Sequence, residues 1–216
     1  MDVLDSITWF RQAALRWTDG ERTVYFDSWG TRSEDGAADL ILITHAHDDH
    51  FRPEEIERLA AGGAKIAAPP DVAAELSGDV TPVAPGESYD LAGVRFTTVP
   101  AYNTREEALD FHPKAKRWVG YVVDLGGTGY YHAGDTDHAP ELDEVRADVA
   151  FLPVGGHFTM DVEAAAGLAR TISPRVTVPM HFGFIVGTSS DGERFREAAD
   201  PVAVEVLEPR DPFERT

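Results

Sequence analysis

Residues 39–50 read Asp39-Leu40-Ile41-Leu42-Ile43-Thr44-His45-Ala46-His47-Asp48-Asp49-His50. The first five have the length and Ile/Leu content of a buried strand. Directly after them come three imidazoles and two carboxylates within seven residues. Imidazole and carboxylate are the ligand set of zinc and similar divalent ions, and a buried strand that delivers them at its C-terminal end is a common way to build an active site. His45 and His47 are two apart, so in an extended segment they face one side and reach one ion. Asp49 and His50 lie beyond a turn and face a second position. The pattern reads as a split ligand set for two adjacent metals, which in such sites sit about 3.5–4 Å apart. The competing reading is a polar surface loop that happens to hold three His.

The 8 His of the 216-residue chain all fall between positions 45 and 181, nearly all where a strand is expected to end. Scattered core histidines would not show that bias; convergent strand ends would. Strands are expected at 23–27, 39–43, 65–68, 94–100, 119–125, 130–132, 149–154, 176–180 and 202–207, from β-branched and aromatic content. Helices are expected at 53–61, 70–76, 161–171 (with Asp161 as N-cap) and 190–199. The earliest strands carry no helix between them and the second half alternates strand and helix, which suggests packed sheets with helices outside.

Composition narrows the function. The chain is 43% hydrophobic and long enough to bury a core as a single domain over 1–216. No run of about 18 apolar residues appears, so no membrane helix is expected. The start, Met1-Asp2-Val3-Leu4-Asp5-Ser6, carries acid where a signal peptide carries Lys or Arg, which points to the cytoplasm. With no cysteine, thiolate ligands, disulfides and cysteine nucleophiles are excluded, and any metal must be held by nitrogen and oxygen. A net charge of -19 disfavours general nucleic-acid binding, since that field repels phosphate backbones. A high-salt cytoplasm would screen such a charge; a GC-rich genome would equally favour the 16 Arg over the three Lys.

Asp27 at the end of an early strand, His45-x-His47-x-Asp49-His50, Gly134-Asp135-Thr136, and His181 after a late strand follow one another in order. On these landmarks the chain resembles the metallo-β-lactamase superfamily over almost its whole length. It is most similar to the small single-domain proteins related to ascorbate-6-phosphate lactonase. The segments 99–103, 111–113 and 131–137 resemble a prokaryotic branch of metal-dependent hydrolases. The resemblance implies an α/β fold, a four-layer αββα sandwich of two mixed sheets with outer helices and a dinuclear site on one sheet edge. It implies that His45 and His47 bind one ion, Asp49 and His50 the other, that Asp135 bridges, and that His181 completes the second position. It implies that Asp49 also takes the proton of the attacking water, and that Asp27 holds the His loop from behind.

Many superfamily members supply a third His to the first ion just after the strand that here spans 94–100. This chain has Tyr102 and Asn103 there. His112, nine residues on, is the candidate replacement, and Asn103 the weaker one. His132, close to the Gly134-Asp135 turn, supports the site or simply packs in the sheet. His138 reads as solvent-exposed. His157 follows Gly155-Gly156, whose missing side chains allow close approach to a ligand, and is expected to touch substrate or act as an acid. Arg105, Lys114, Lys116 and Arg117 form a basic cluster in the loop 102–118, a length often functional. They either recognise an anionic group or balance Glu106, Glu107 and Asp110. The four Trp are expected to pack rather than stack on substrate.

The expected activity is hydrolysis by a metal-bound hydroxide at one or two ions, zinc first with Mn2+ or Fe2+ as alternatives. The expected substrate is a small ester, lactone or phosphoester, an anionic one being favoured by analogy with the lactonase and by the basic loop. The alternatives are a nuclease or phosphodiesterase, and a non-catalytic metal-binding protein on this scaffold. A homo-oligomer is compatible with the sequence, and no membrane partner is expected.

Overall fold

The computed structural model describes residues 3–216; Met1 and Asp2, part of the acidic start read above, lie outside the described residues. Strands β1 (Ile7–Trp9), β2 (Leu15–Thr18), β3 (Thr23–Phe26), β4 (Leu40–Leu42), β5 (Lys65–Ala68) and β6 (Asp79–Pro82) form the first sheet in sequence order. Its first three strands are antiparallel, and β3 to β6 run parallel. Strands β7 (Ser88–Leu91), β8 (Val94–Pro100), β9 (Val119–Leu125), β10 (Thr128–His132), β11 (Val149–Pro153) and β12 (Val176–Met180) form the second. There β7 to β10 are antiparallel, and β10, β11 and β12 are parallel.

Helices α1 (Pro53–Leu59) and α2 (Pro70–Ala73) cover the first sheet, and α3 (Val162–Ile172) and α4 (Asp191–Ala198) the second. The two-residue period of β4 builds two cores. Leu40 and Leu42 enter the core between the sheets, while Ile41 and Ile43 join Ile56, Leu59 and Val72 under α1 and α2. This is the four-layer α/β sandwich of mixed sheets that the family resemblance implies. α1 opens on Pro53 with Glu54 and Glu55 in its first turn and Arg58 in its last, the polarity a helix dipole favours. In α3 the Asp161 side chain caps the helix by accepting from Ala164 N at 2.9 Å, as expected.

Four strands escaped the sequence reading. β1, β2, β6 and β7 are three or four residues long and only partly buried, so none carries a hydrophobic run. The strand expected at 202–207 is a correction. It reduces to a single parallel bridge between Thr177 and Val204. The chain leaves the edge of β12 because its next partner lies across the molecule: Arg210 N donates to Trp9 O at 2.8 Å, Arg11 pairs with Asp211 at 2.7 Å, and Phe213 packs on Trp9 and Phe182. No helix among the described residues is long and apolar enough to cross a membrane.

Candidate metal centre

The parallel strands aim their C-terminal ends at one edge of the sandwich, and the chemistry-bearing residues follow them there. Asp27 follows β3, His45 to His50 follow β4, Asp135 follows β10 and His181 follows β12. His112 comes from the β8–β9 loop. Two of these turns use left-handed backbone, at Asp27 (φ 53°) and His181 (φ 59°), as does Gln12 (φ 46°) between β1 and β2. Such conformations cost about 1–3 kcal/mol each in non-glycine residues and persist where the surroundings enforce them.

The side chains form two triads. His45, His47 and His112 make one, and Asp49, His50 and His181 the other, the ligand atoms of each lying within 4.8 Å of one another. Asp135 stands between them: Oδ2 is 3.3 Å from His112 Nε2 and 3.0 Å from His181 Nε2, and Oδ1 is 3.4 Å from His50 Nε2. Within the triads, His45 Nε2 is 3.1 Å from His47 Nδ1, and Asp49 Oδ2 is 3.4 Å from His181 Nε2. Tetrahedral zinc with bonds of about 2.0–2.1 Å places its ligand atoms about 3.4 Å apart, so these spacings match one coordination shell. His50 Nε2, His112 Nε2 and Asp135 Oδ1 are buried and have no hydrogen-bond partner. Buried polar atoms are rarely left so, and an ion is what would satisfy all three. The residues fit metal.

In His45, His50 and His112 the nitrogen turned away from the centre is held in place, whereas His181 Nδ1 is buried with no hydrogen-bond partner. Asp27 Oδ2 lies 2.7 Å from His50 Nδ1, while its Oδ1 accepts from Thr44 N at 2.9 Å. Thr44 Oγ1 meets His45 Nδ1 at 2.9 Å, and Asn103 Oδ1 meets His112 Nδ1 at 2.7 Å. Each contact leaves Nε2 as the free lone pair, the usual arrangement behind a ligating imidazole. Of the two candidates for the missing third His, His112 joins the cluster and Asn103 orients it.

Without an ion the cluster polarises itself. Burial would lower His181, but Asp135 and Asp49 outweigh it and raise its pKa to about 9. His50 is raised well above its ordinary value against the same burial, by Asp135, Asp49 and Asp27. Burial would raise Asp49, yet His50 and His181 hold it below the usual carboxylate range. Burial, and after it the neighbouring His50, push His45 well below its ordinary value. His45 thus offers a lone pair at neutral pH, whereas His50 and His181 must shed protons to bind metal.

The remaining candidates stand further back. His132 is buried between sheets, stacked on Phe26 at 5.1 Å; Nε2–H donates to Ala13 O at 2.7 Å and Nδ1 accepts from Gly134 N at 3.2 Å. It packs in the sheet and also holds the turn that carries Asp135. His138 pairs with Asp143 at 2.7 Å, part-exposed and outside the cluster. His157 is exposed, with its ring against Phe158 and Phe111, outside the ligand cluster and beside two residues of its mouth. Gly155 is a correction. Its missing side chain leaves room for the backbone oxygen of His181 rather than for a ligand, since a Cβ there would collide with it. Three cations of the basic loop are engaged: Arg105 with Asp137 at 3.0 Å, Lys114 with Glu141 at 2.6 Å and Lys116 with Asp71 at 3.6 Å.

Sequence reasoning missed Gln12 and Trp118 as neighbours of the site. Gln12 Nε2 donates to Asp49 Oδ2 at 3.3 Å, and its backbone oxygen accepts from His181 N at 2.9 Å. Nothing in Phe10-Arg11-Gln12 signals this, because the contact spans 37 residues to Asp49 and 169 to His181. Trp118 packs its indole 5.0 Å from both His45 and His47, anchored by Nε1 to Asp71 at 3.0 Å.

The comparisons agree with this geometry. The profile of the beta-lactamase superfamily domain matches residues 6–181. The chain is 36% identical over 193 residues to a UPF0173 metal-dependent hydrolase of Thermococcus kodakarensis, covering 85% of this chain and 84% of that protein. A crystal structure from Parabacteroides distasonis superposes with a TM-score of 0.82 at 30% identity, over 94% of this chain and 93% of that one. A metallo hydrolase of the archaeon Ignicoccus hospitalis superposes at 0.77 with 26% identity, over 95% of each chain.

Proposed function

This chain belongs to the beta-lactamase superfamily and to its UPF0173 metal-dependent hydrolases, and we propose that it cleaves a small ester, lactone or phosphoester at a dinuclear, zinc-preferring centre. The observation that carries the reading is the convergence of two triads on Asp135, with buried ligand atoms left unpartnered. His45, His47 and His112 would hold one ion, Asp49, His50 and His181 the other, with Asp135 shared. Zinc is preferred because the donors are mostly imidazole with two carboxylates; Mn2+ and Fe2+ accept the same set. When bound, such ions lower the pKa of water toward about 7 and polarise the bond under attack.

The chain's own residues supply the rest. Asp49, ionised and gripped through Oδ2 by Gln12, accepts the proton of the attacking water. Asp27, Thr44 and Asn103 fix the imidazoles of His50, His45 and His112, so that these ligands need not reorient during turnover. Trp118 shields the first triad from water on one side.

The test is metal analysis of protein prepared without chelators, with a panel of ester, lactone and phosphodiester substrates on wild type and Asp49→Ala. About two ions per chain and a fall in kcat of about 100-fold or more in the variant are expected. A metal content near zero overturns the reading.

A further inference from the structure

The mouth of the centre is an aromatic and aliphatic wall. A cavity of about 270 Å³ opens onto His47, Asp49, His112 and Asp135, and its other lining residues are Phe111, Phe158 and Ile185. Small-molecule sites run from about 300 Å³ upward, so this one suits a compact ligand. A larger concavity, about 620 Å³, lies on the outer face of β7 to β10 and contains no residue of the cluster.

The wall is built rather than incidental. Phe111 immediately precedes the ligand His112, and its ring meets Phe158 edge to face at 4.7 Å. Asn103, which orients His112 through Oδ1, donates from Nδ2 to Phe158 O at 2.8 Å. Arg105 donates to the carbonyls on either side of Phe158, at 3.2 Å to His157 O and 2.8 Å to Thr159 O. Arg105, one of the four cations for which the sequence leaves anion recognition open, thus fixes the aromatic corner instead. Among the described residues, the two large apolar side chains left exposed are Leu109 (46%) and Ile185 (45%). Both sit on loops that carry this wall, and Ile185 itself lines the cavity.

Charge argues the same way. No Lys or Arg lines the cavity among the described residues, and Arg117 faces a separate one with Tyr102 and Glu141. The net charge of -19 repels anions at long range, and apart from the ions themselves no cation of the cavity would hold one.

We propose that the substrate is an uncharged acyl compound, an ester or lactone, whose aryl-sized apolar group packs against Phe111, Phe158 and Ile185 while its carbonyl faces the two triads. The proposal rests on the metal-hydrolase reading and narrows it against small anionic metabolites.

Hydroxamates share one metal-binding head, so they test the wall without a known substrate. Affinities of acetohydroxamic, phenylacetohydroxamic and succinohydroxamic acids are measured by calorimetry on zinc-loaded wild type, Phe158→Ala and Ile185→Ser. Phenylacetohydroxamic acid is expected to bind wild type about tenfold or more tighter than acetohydroxamic acid, the scale of burying a phenyl group. The carboxylate of the succinyl compound is expected to add nothing. In Ile185→Ser, at an exposed position outside both cores, and in Phe158→Ala, the aryl advantage shrinks several-fold while acetohydroxamate affinity changes less. Equal affinities in wild type, or tighter binding of the carboxylate, overturn the proposal alone. A protein that retains no zinc overturns the hydrolase reading and this proposal with it.

Discussion

The carboxamide oxygen of Asn103 lies 2.7 Å from Nδ1 of His112. Two residues that compete in the sequence for one role are therefore partners, one standing in the cluster and the other orienting its ring. In the proposed centre, a superfamily position lacking its usual His would be refilled from a loop nine residues on. It also ties the first triad to the wall of the mouth, because the same carboxamide holds Phe158 O.

Asn103→Ala frees the His112 ring and should weaken the first ion about 10–100-fold, the usual cost of losing the group behind a ligating imidazole. A competition titration against a chromogenic zinc chelator measures it. An unchanged affinity would show that His112 needs no support.

Gln12→Ala should act on the other ion. It removes the donor to Asp49 Oδ2, so affinity for the second equivalent of zinc falls while the first is unchanged. The readout is a two-site isotherm. Equal loss at both sites would mean that the substitution disturbs the fold instead.

Metal affinity should rise with pH. His181, held at about 9 in the metal-free protein by Asp135 and Asp49 against the opposing effect of burial, must lose its proton to bind an ion. Zinc binding near neutrality therefore releases protons, and the apparent affinity climbs until about pH 9. The metal-free fold behaves oppositely. The folded pKa is above the unfolded value of about 6.5, so the stability it contributes is complete below about 6.5 and is lost as pH rises through about 9. Urea midpoints of chelator-treated protein across that range should decline; a rising midpoint contradicts the assignment.

Gly155→Ala should cost about 1–3 kcal/mol, as overpacking does, because the new Cβ meets the His181 carbonyl. Thermal unfolding reads the loss, and the second zinc equivalent should weaken with it. An unchanged melting temperature would show that the loop after β11 yields freely.

Much of this molecule could be read from its chain because local rules governed it. β8, β9 and β12 occupy the expected residues, each being apolar enough to declare itself. Asp161 caps α3 for reasons confined to four residues. The ligand-bearing turns were visible because histidine is scarce and strand ends are where it gathered. What stayed hidden was set by distant partners. Segment 202–207 has strand-like composition, but the residues after it leave for Trp9 and Arg11. Whether Arg105 recognises an anion or balances nearby acids stayed open in the sequence, because its carbonyl partners at 157 and 159 lie some fifty residues away. Gln12 carries no local mark at all.

The ligands come from both sheets: His45, His47, Asp49 and His50 follow β4, whereas Asp135 and His181 follow β10 and β12. Neither half of the chain holds a complete triad, since His112 joins the first and His181 the second. The ions would thus act as rivets between two half-molecules, and no rivet can be set until the plates are aligned. Metal capture becomes the closing event of folding, and retained metal a certificate that the two halves have met in register.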